Sequence, residues 1–146
     1  MEQDLFAYAC KLLGRQSYTR AALARKLAGR GEAENVKIVL DRLAESGYID
    51  DRAFAQNYIQ SRSARHPSGR RLLEMKLKSK GVPDTIIKET LNELEPETEE
   101  AAAQKLAAKK AALLKNLEPM ARKKRVFQFL LNRGFSPEIA RKFSDL

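Results

Sequence analysis

Tryptophan is absent from this 146-residue chain, and cysteine and histidine occur once each, as Cys10 and His66. One Cys excludes an internal disulfide framework, and one His beside one Cys excludes the usual zinc ligand sets. No apolar run approaches the length that crosses a membrane. Seven Gly and five Pro are too few for a collagen-like or low-complexity chain. A Gly-rich phosphate loop is missing, and so is a nucleophile with a base beside it in any recognisable pattern. The sequence therefore predicts a protein that is not an enzyme and needs no cofactor or metal. Met1-Glu2-Gln3-Asp4 is acidic where a secretion signal carries a basic segment before an apolar one, so a cytoplasmic location is expected.

What is present is charge. Twenty-eight Lys and Arg stand against 19 Asp and Glu, a net charge of +9, within a chain that is 43% hydrophobic and 32% charged. Such a balance suits a soluble globular protein with polyanionic partners. Residues 1–49 carry +2, residues 50–95 carry +2 and residues 96–146 carry +5, so the excess leans toward the C-terminus.

The chain repeats itself. Leu27-Ala-Gly-Arg30-Gly31, Leu77-Lys-Ser-Lys80-Gly81 and Leu130-Leu-Asn-Arg133-Gly134 end three helical patterns alike, with the glycines 50 and 53 residues apart. Each Gly suits the left-handed position that stops a helix. After each comes an amphipathic run at i, i+4, i+7: Val36, Leu40, Leu43; Ile87, Leu91, Leu94; Ile139, Phe143, Leu146. A further helical run precedes each pair, marked by Leu5, Tyr8, Ala9 and Leu12, by Phe54, Tyr58 and Ile59, and by Ala103, Leu106 and Ala107. No strand-like alternation is found. The reading is an all-α fold of nine helices in three tandem three-helix repeats, 1–49, 50–95 and 96–146, elongated and curved.

Helix starts are expected at Ser17 or Thr19, at Asp50, at Ser68, and at Glu118-Pro119 and Ser136-Pro137, where side-chain oxygens can accept first-turn amides and a Pro loses nothing at the first position. Tyr8, Tyr48, Phe54, Phe127 and Phe143 sit at core-like positions, Cys10 reads as a small buried hydrophobe, and His66 before Pro67 reads as an exposed turn residue. The adjacent Asp50 and Asp51 cannot converge on one bond as a catalytic pair must, so a capping role is expected.

These residues carry a family resemblance. Ala7-Tyr8-Ala9, Leu23 to Gly31, the junction Gly47-Tyr48-Ile49-Asp50-Asp51 followed by Phe54-Ala55, Ser61-Arg62-Ser63, and Phe129-Leu130-Leu131-Asn132-Arg133-Gly134-Phe135 resemble the RecX regulatory family over nearly the whole chain. Where that family usually has a Gly-Tyr-Gly-Pro turn, this chain has Arg65-His66-Pro67-Ser68-Gly69. The resemblance implies a modulator of the RecA recombinase that binds the RecA filament on DNA. It further implies inhibition of strand exchange, ATP hydrolysis and coprotease activity.

The candidate contact residues are basic. Lys26 with Arg30, and Lys76 with Lys80, are i, i+4 pairs beside the apolar seam of each repeat, where a cation packs its stem and keeps its head in water. Seven cations and one acid lie between Arg62 and Lys80. Of these, Arg62, Arg65 and Arg70 flank a turn without acidic residues nearby in sequence, and so suit phosphate or carboxylate ligands. Arg122, Arg125, Phe129 and Arg133 follow i, i+3, i+7, i+11, which sets an aromatic among guanidinium groups for stacking on a base or docking in a pocket. A monomer is expected that binds single- or double-stranded DNA weakly and without sequence preference. The alternative is a helix-turn-helix-like protein acting on DNA directly. Against it, the basic helix comes before the Gly turn, while the helices after Gly31 and Gly81 are mixed or acidic.

Overall fold

The computed structural model describes residues 2–145, and Leu146 of the last apolar run lies outside them. Among the described residues there are nine helices and no strand: α1 (Glu2–Leu13), α2 (Arg20–Ala28), α3 (Ala33–Glu45), α4 (Asp51–Arg65), α5 (Arg70–Ser79), α6 (Asp84–Asn92), α7 (Pro96–Leu113), α8 (Pro119–Asn132) and α9 (Pro137–Phe143). They pack as two compact units. Unit 1 is Met1–Asn57 with Leu77–Lys88, and unit 2 is Tyr58–Lys76 with Glu89–Leu146, so α4, α5 and α6 each contribute one end to either unit.

Unit 1 closes on Leu5 and Ala9 of α1, Leu23 and Leu27 of α2, and Val36, Val39, Leu40 and Leu43 of α3, all buried, with Ile49 after them. The α3 positions are i, i+3, i+4, i+7, one stripe of an α-helix. Each fully buried Leu contributes about 2 kcal/mol relative to exposure. In unit 2 the corresponding cluster is Ala103, Leu106 and Ala107 of α7, Val126 and Leu130 of α8, Phe135 and Ala140. Small Ala side chains in α7 let α8 and α9 approach it closely.

Three helices end in the same way. Gly47, Gly81 and Gly134 adopt φ of 80°, 90° and 91°. The amide after each reaches back five residues: Tyr48 N to Leu43 O at 2.9 Å, Val82 N to Leu77 O at 3.1 Å, and Phe135 N to Leu130 O at 3.1 Å. These are Schellman endings, for which a residue without Cβ is best suited. Gly31 departs from the expectation, because α2 stops at Ala28 and the left-handed residues among those described do not include it. Its small size serves a different end: a Cβ there would lie 2.5 Å from Leu5 Cδ1.

The starts of α2 and α5 organise their units. In unit 1, Thr19 Oγ1 accepts from Ala22 N at 3.1 Å, which caps α2, and donates to Lys80 O at 2.5 Å. Arg20 N donates to Asp51 Oδ1 at 2.9 Å, while the Arg20 guanidinium bonds Asp41 on α3. That guanidinium, first among several causes and assisted by Lys37, holds the Asp41 carboxyl below its ordinary range. In unit 2, Gly69 N donates to Arg133 O at 2.8 Å and Arg71 N to Gly134 O at 3.1 Å. Arg70 N donates to Glu99 Oε2 at 2.7 Å. Each helix thus has its first amide satisfied by a carboxylate from the next repeat, Asp51 or Glu99, where an anion is also favoured by the helix dipole. At the start of α8 stands Pro119, whose nitrogen has no hydrogen to donate.

Three expectations are corrected. Ser68 does not cap α5: its hydroxyl donates to His66 O at 2.9 Å, and Glu99 takes the role from outside the local sequence. Tyr48 is 64% exposed, because the Schellman turn at Gly47 points it outward and buries Ile49 in its place. Cys10 is exposed on α1, where the buried stripe is Leu5 and Ala9. Asp50 accepts from Ala53 N at 3.1 Å and Ser136 from Ile139 N at 3.2 Å, as helix caps.

Candidate functional site

The candidate cations of the sequence lie on or just beyond four helices, α2, α4, α5 and α8, and the structure brings a subset of them together in unit 2. Arg65 ends α4, and the chain turns through His66 and Pro67. That turn is fixed by His66 N donating to Arg62 O at 2.7 Å and by the Ser68 hydroxyl described above. Facing it are Lys109 and Lys110 near the end of α7, Phe129 on α8 and Arg133 at the C-cap of α8. With Leu106 and Leu113 these residues line a cleft of about 330 Å³. Four basic side chains therefore share one concavity whose lining includes no carboxylate.

Phe129 organises the charge. Its ring is half-buried, with Lys110 Nζ 5.1 Å and Arg133 Cζ 5.2 Å from the centroid. Each cation–π contact is worth about 0.5–1 kcal/mol at a partly exposed site. The contacts hold two long side chains in place without neutralising them, as a carboxylate would. Leu113, 77% exposed, sets apolar surface beside the cations. A cleft of this kind can take a phosphate or carboxylate, and the flat or aliphatic group attached to it.

The other candidates fall elsewhere. Arg70 is engaged within unit 2: its Nη2 donates to Leu94 O at 2.7 Å and its Nε lies 3.8 Å from Glu99 Oε1. Glu99 is 29 residues away in sequence, so a search for local acids misses it. Arg62 is half-buried, and its Nε is enclosed with no hydrogen-bond partner. Arg122 and Arg125 do not line the cleft. The expected stripe is divided, Phe129 and Arg133 in the cleft, Arg122 half-buried in contacts of its own and Arg125 exposed. Lys76 and Lys80 are exposed on α5 and just beyond it, each with contacts of its own. In unit 1, Lys26 is exposed and Arg30 stacks on Tyr8, its Cζ 3.9 Å from the ring centroid. Lys109 and Lys110 were not singled out in the sequence, where they read as helix formers of an Ala- and Lys-rich run. Their signal is their spacing from Leu106: Leu106, Lys109, Lys110 and Leu113 follow i, i+3, i+4, i+7 and share one helix face.

Among the described residues no group of three or more His, Cys, Asp or Glu could hold a metal, and no helix is long and apolar enough to cross a membrane.

Among the described residues, nine α-helices, with the starts of α2 and α5 tied to the ends of α5 and α8 and a basic cleft between the end of α4, α7 and α8, define an all-α protein of tandem three-helix units. Comparison with known proteins narrows the class. Residues 50–91 match the model of the RecX second three-helix domain and residues 97–143 that of the third. The regulatory protein RecX of Pelodictyon phaeoclathratiforme is 41% identical over 129 residues, 88% of this chain and 79% of that protein. That of Thermus thermophilus is 39% identical over 141 residues, covering 96% and 89%. A crystal structure of regulatory protein RecX superposes with a TM-score of 0.88 at 25% identity over 99% of this chain and 72% of that one. RecX from Lactobacillus salivarius superposes at 0.91, with 21% identity over 97% and 93%. The chain belongs to the RecX family of regulatory proteins.

Proposed function

We propose that this protein is a non-catalytic regulator that binds the RecA nucleoprotein filament and inhibits its recombinase, ATPase and coprotease activities. In that role it modulates DNA repair and the SOS response. It acts from the cytoplasm as a monomer built of repeats 1–49, 50–95 and 96–146, with weak, sequence-indifferent contacts to DNA. The observation that supports the reading beyond family membership is the cleft of Arg65, Lys109, Lys110 and Arg133, four cations with no carboxylate in the lining. Acidic protein surface and DNA phosphates are its natural complements.

The mechanism is linkage. A ligand that prefers one filament geometry shifts the filament toward it by the difference in affinity, and a copy bound at a growing end blocks the next protomer. The reaction itself stays with RecA, so the residues required here are binding residues: Arg65, Lys109 and Arg133 for charge, Phe129 for holding that charge in place.

The test is RecA-catalysed ATP hydrolysis on single-stranded DNA with increasing amounts of this protein. Inhibition is expected at substoichiometric dose, and unchanged hydrolysis at equimolar dose overturns the reading. Arg65→Ala, Lys109→Ala and Arg133→Ala together are expected to raise the dose for half-inhibition about tenfold or more, since truncating charges at an interface removes both steering and contact energy. Undiminished inhibition by a variant of unchanged helicity would remove the cleft from the mechanism.

A further inference from the structure

We propose that the groove between α8 and α9 is a second docking site, for an acidic peptide segment that carries a large apolar side chain. On α8, Met120, Lys123, Lys124 and Phe127 follow i, i+3, i+4, i+7 and share one face. Phe129 and Arg133 of the basic cleft lie roughly half a turn round from it at about 100° per residue. The groove, about 380 Å³, is closed on its other side by Arg141 of α9. That volume is within the range of about 300–1,000 Å³ in which proteins bind ligands.

Its floor is apolar. Met120 is 63% exposed, and Phe127 is half-buried beside it. A thioether on a flexible stem adapts to varied apolar partners, which is why Met recurs on surfaces that accept peptides. The rim is cationic: Lys123, Lys124 and Arg141 surround the floor, and α8 has no acidic residue in its whole length. The chain places one carboxylate at this rim already. Asp145 Oδ1 lies 3.9 Å from Lys123 Nζ, with the Asp side chain 80% exposed. An exposed pair of that length is weak and readily exchanged for a partner's carboxylate. Charge complementarity therefore selects an acidic occupant, and the apolar floor selects a peptide over a nucleic acid, whose phosphates leave Met120 uncovered. The proposal stands independently of the RecA reading, since it concerns a different face and different residues.

Fluorescence anisotropy tests it, with the full chain and a short fluorescein-labelled peptide alternating Glu with Leu. Saturable binding is expected, weakened roughly tenfold by Lys124→Glu and by Met120→Ser, and weakened by added salt. Met120 is exposed enough that its replacement leaves the core intact, which circular dichroism checks. The peptide with Ala in place of Leu is expected to bind far more weakly. Absence of peptide binding overturns the proposal, as does equal affinity for the Ala peptide. It is also overturned if both substitutions weaken binding of a labelled oligothymidine and leave peptide binding unchanged.

Discussion

In unit 1 the start of α2 is tied to the end of α5 by a side chain, the Thr19 hydroxyl donating to Lys80 O. In unit 2 the start of α5 is tied to the end of α8 by main chain, Gly69 N on Arg133 O and Arg71 N on Gly134 O. Both joints also place a carboxylate on the first amide of the earlier helix, Asp51 in one and Glu99 in the other. The difference lies in how near the backbones come. A hydroxyl spans the gap in unit 1, whereas in unit 2 the two main chains meet directly. A Cβ on Gly69 would lie 2.3 Å from Gly134 C and O, and one on Gly134 would lie 2.4 Å from Leu72 N. Gly81 in the unit 1 joint is also at positive φ, but a Cβ there would meet a side chain, Ala21 Cβ at 2.6 Å, with the nearest backbone atom 3.8 Å away, so only the unit 2 joint brings main chain directly against main chain.

The largest effect should come from breaking the glycine pair. Gly69→Ala meets backbone that cannot swing aside, and Gly134→Ala meets backbone at a φ of 91° that an L-residue rarely adopts. Each is expected to lower stability by about 3 kcal/mol or more, from overpacking and strain together. Gly31→Ala is the control. Its φ is not positive and a Cβ there would meet the branched end of the Leu5 side chain and no backbone, so it should cost less, about 1–2 kcal/mol. Urea denaturation of the three variants measures the order. Equal costs at Gly69 and Gly31 would mean that the main-chain joint is not the tight point of unit 2.

That contrast also marks how far the sequence could be read. Spacing alone gave nine helices, the apolar stripes of α3 and α8, the caps at Asp50 and Ser136, and the positive φ of Gly81 and Gly134, because these depend on residues within one turn of each other. Gly31 was aligned with those two by position in the repeat, yet its role is set by Leu5, a residue in a different helix. The carboxylate beside Arg70 escapes the local sequence for the same reason, Glu99 being a tertiary neighbour. The cleft was half legible. Arg65, Phe129 and Arg133 stood out as unpaired or stacked groups, but that α7 would bring Lys109 and Lys110 to them depends on how α7 crosses α8, which no periodicity reports.

A smaller effect is expected at the other joint. Thr19→Ala removes the α2 cap and the bond to Lys80 O, which should cost about 1–2 kcal/mol, the usual range for a buried capping hydroxyl. Thr19→Ser retains an oxygen in the same place and should recover most of that. If Thr19→Ser is as destabilising as Thr19→Ala, the methyl packed in the unit 1 core matters more than the hydroxyl, and the side-chain joint loses its claim.

The smallest effect distinguishes the two joints by pH. Arg20, the residue whose amide is held by Asp51, also holds Asp41 ionised, so the Asp41 pKa in the folded chain lies below its ordinary 3.8. A carboxyl depressed by folding contributes stability that is fully present above its unfolded pKa and is lost as pH falls through the folded one. Unit 1 should therefore weaken on acidification below about 3.8 by an amount that Asp41→Asn abolishes. Both Asp41 and Arg20 are partly solvated, with side chains 45% and 38% exposed, so the contribution is modest and should shrink further in salt. Thermal melts of the parent chain and of Asp41→Asn, followed from neutral pH into the acid range, give the comparison. The expected result is two curves that converge at low pH, with the parent more stable at neutrality. Parallel curves across the whole range would show that the Arg20 contact with Asp41 leaves the carboxyl energetically indifferent to folding.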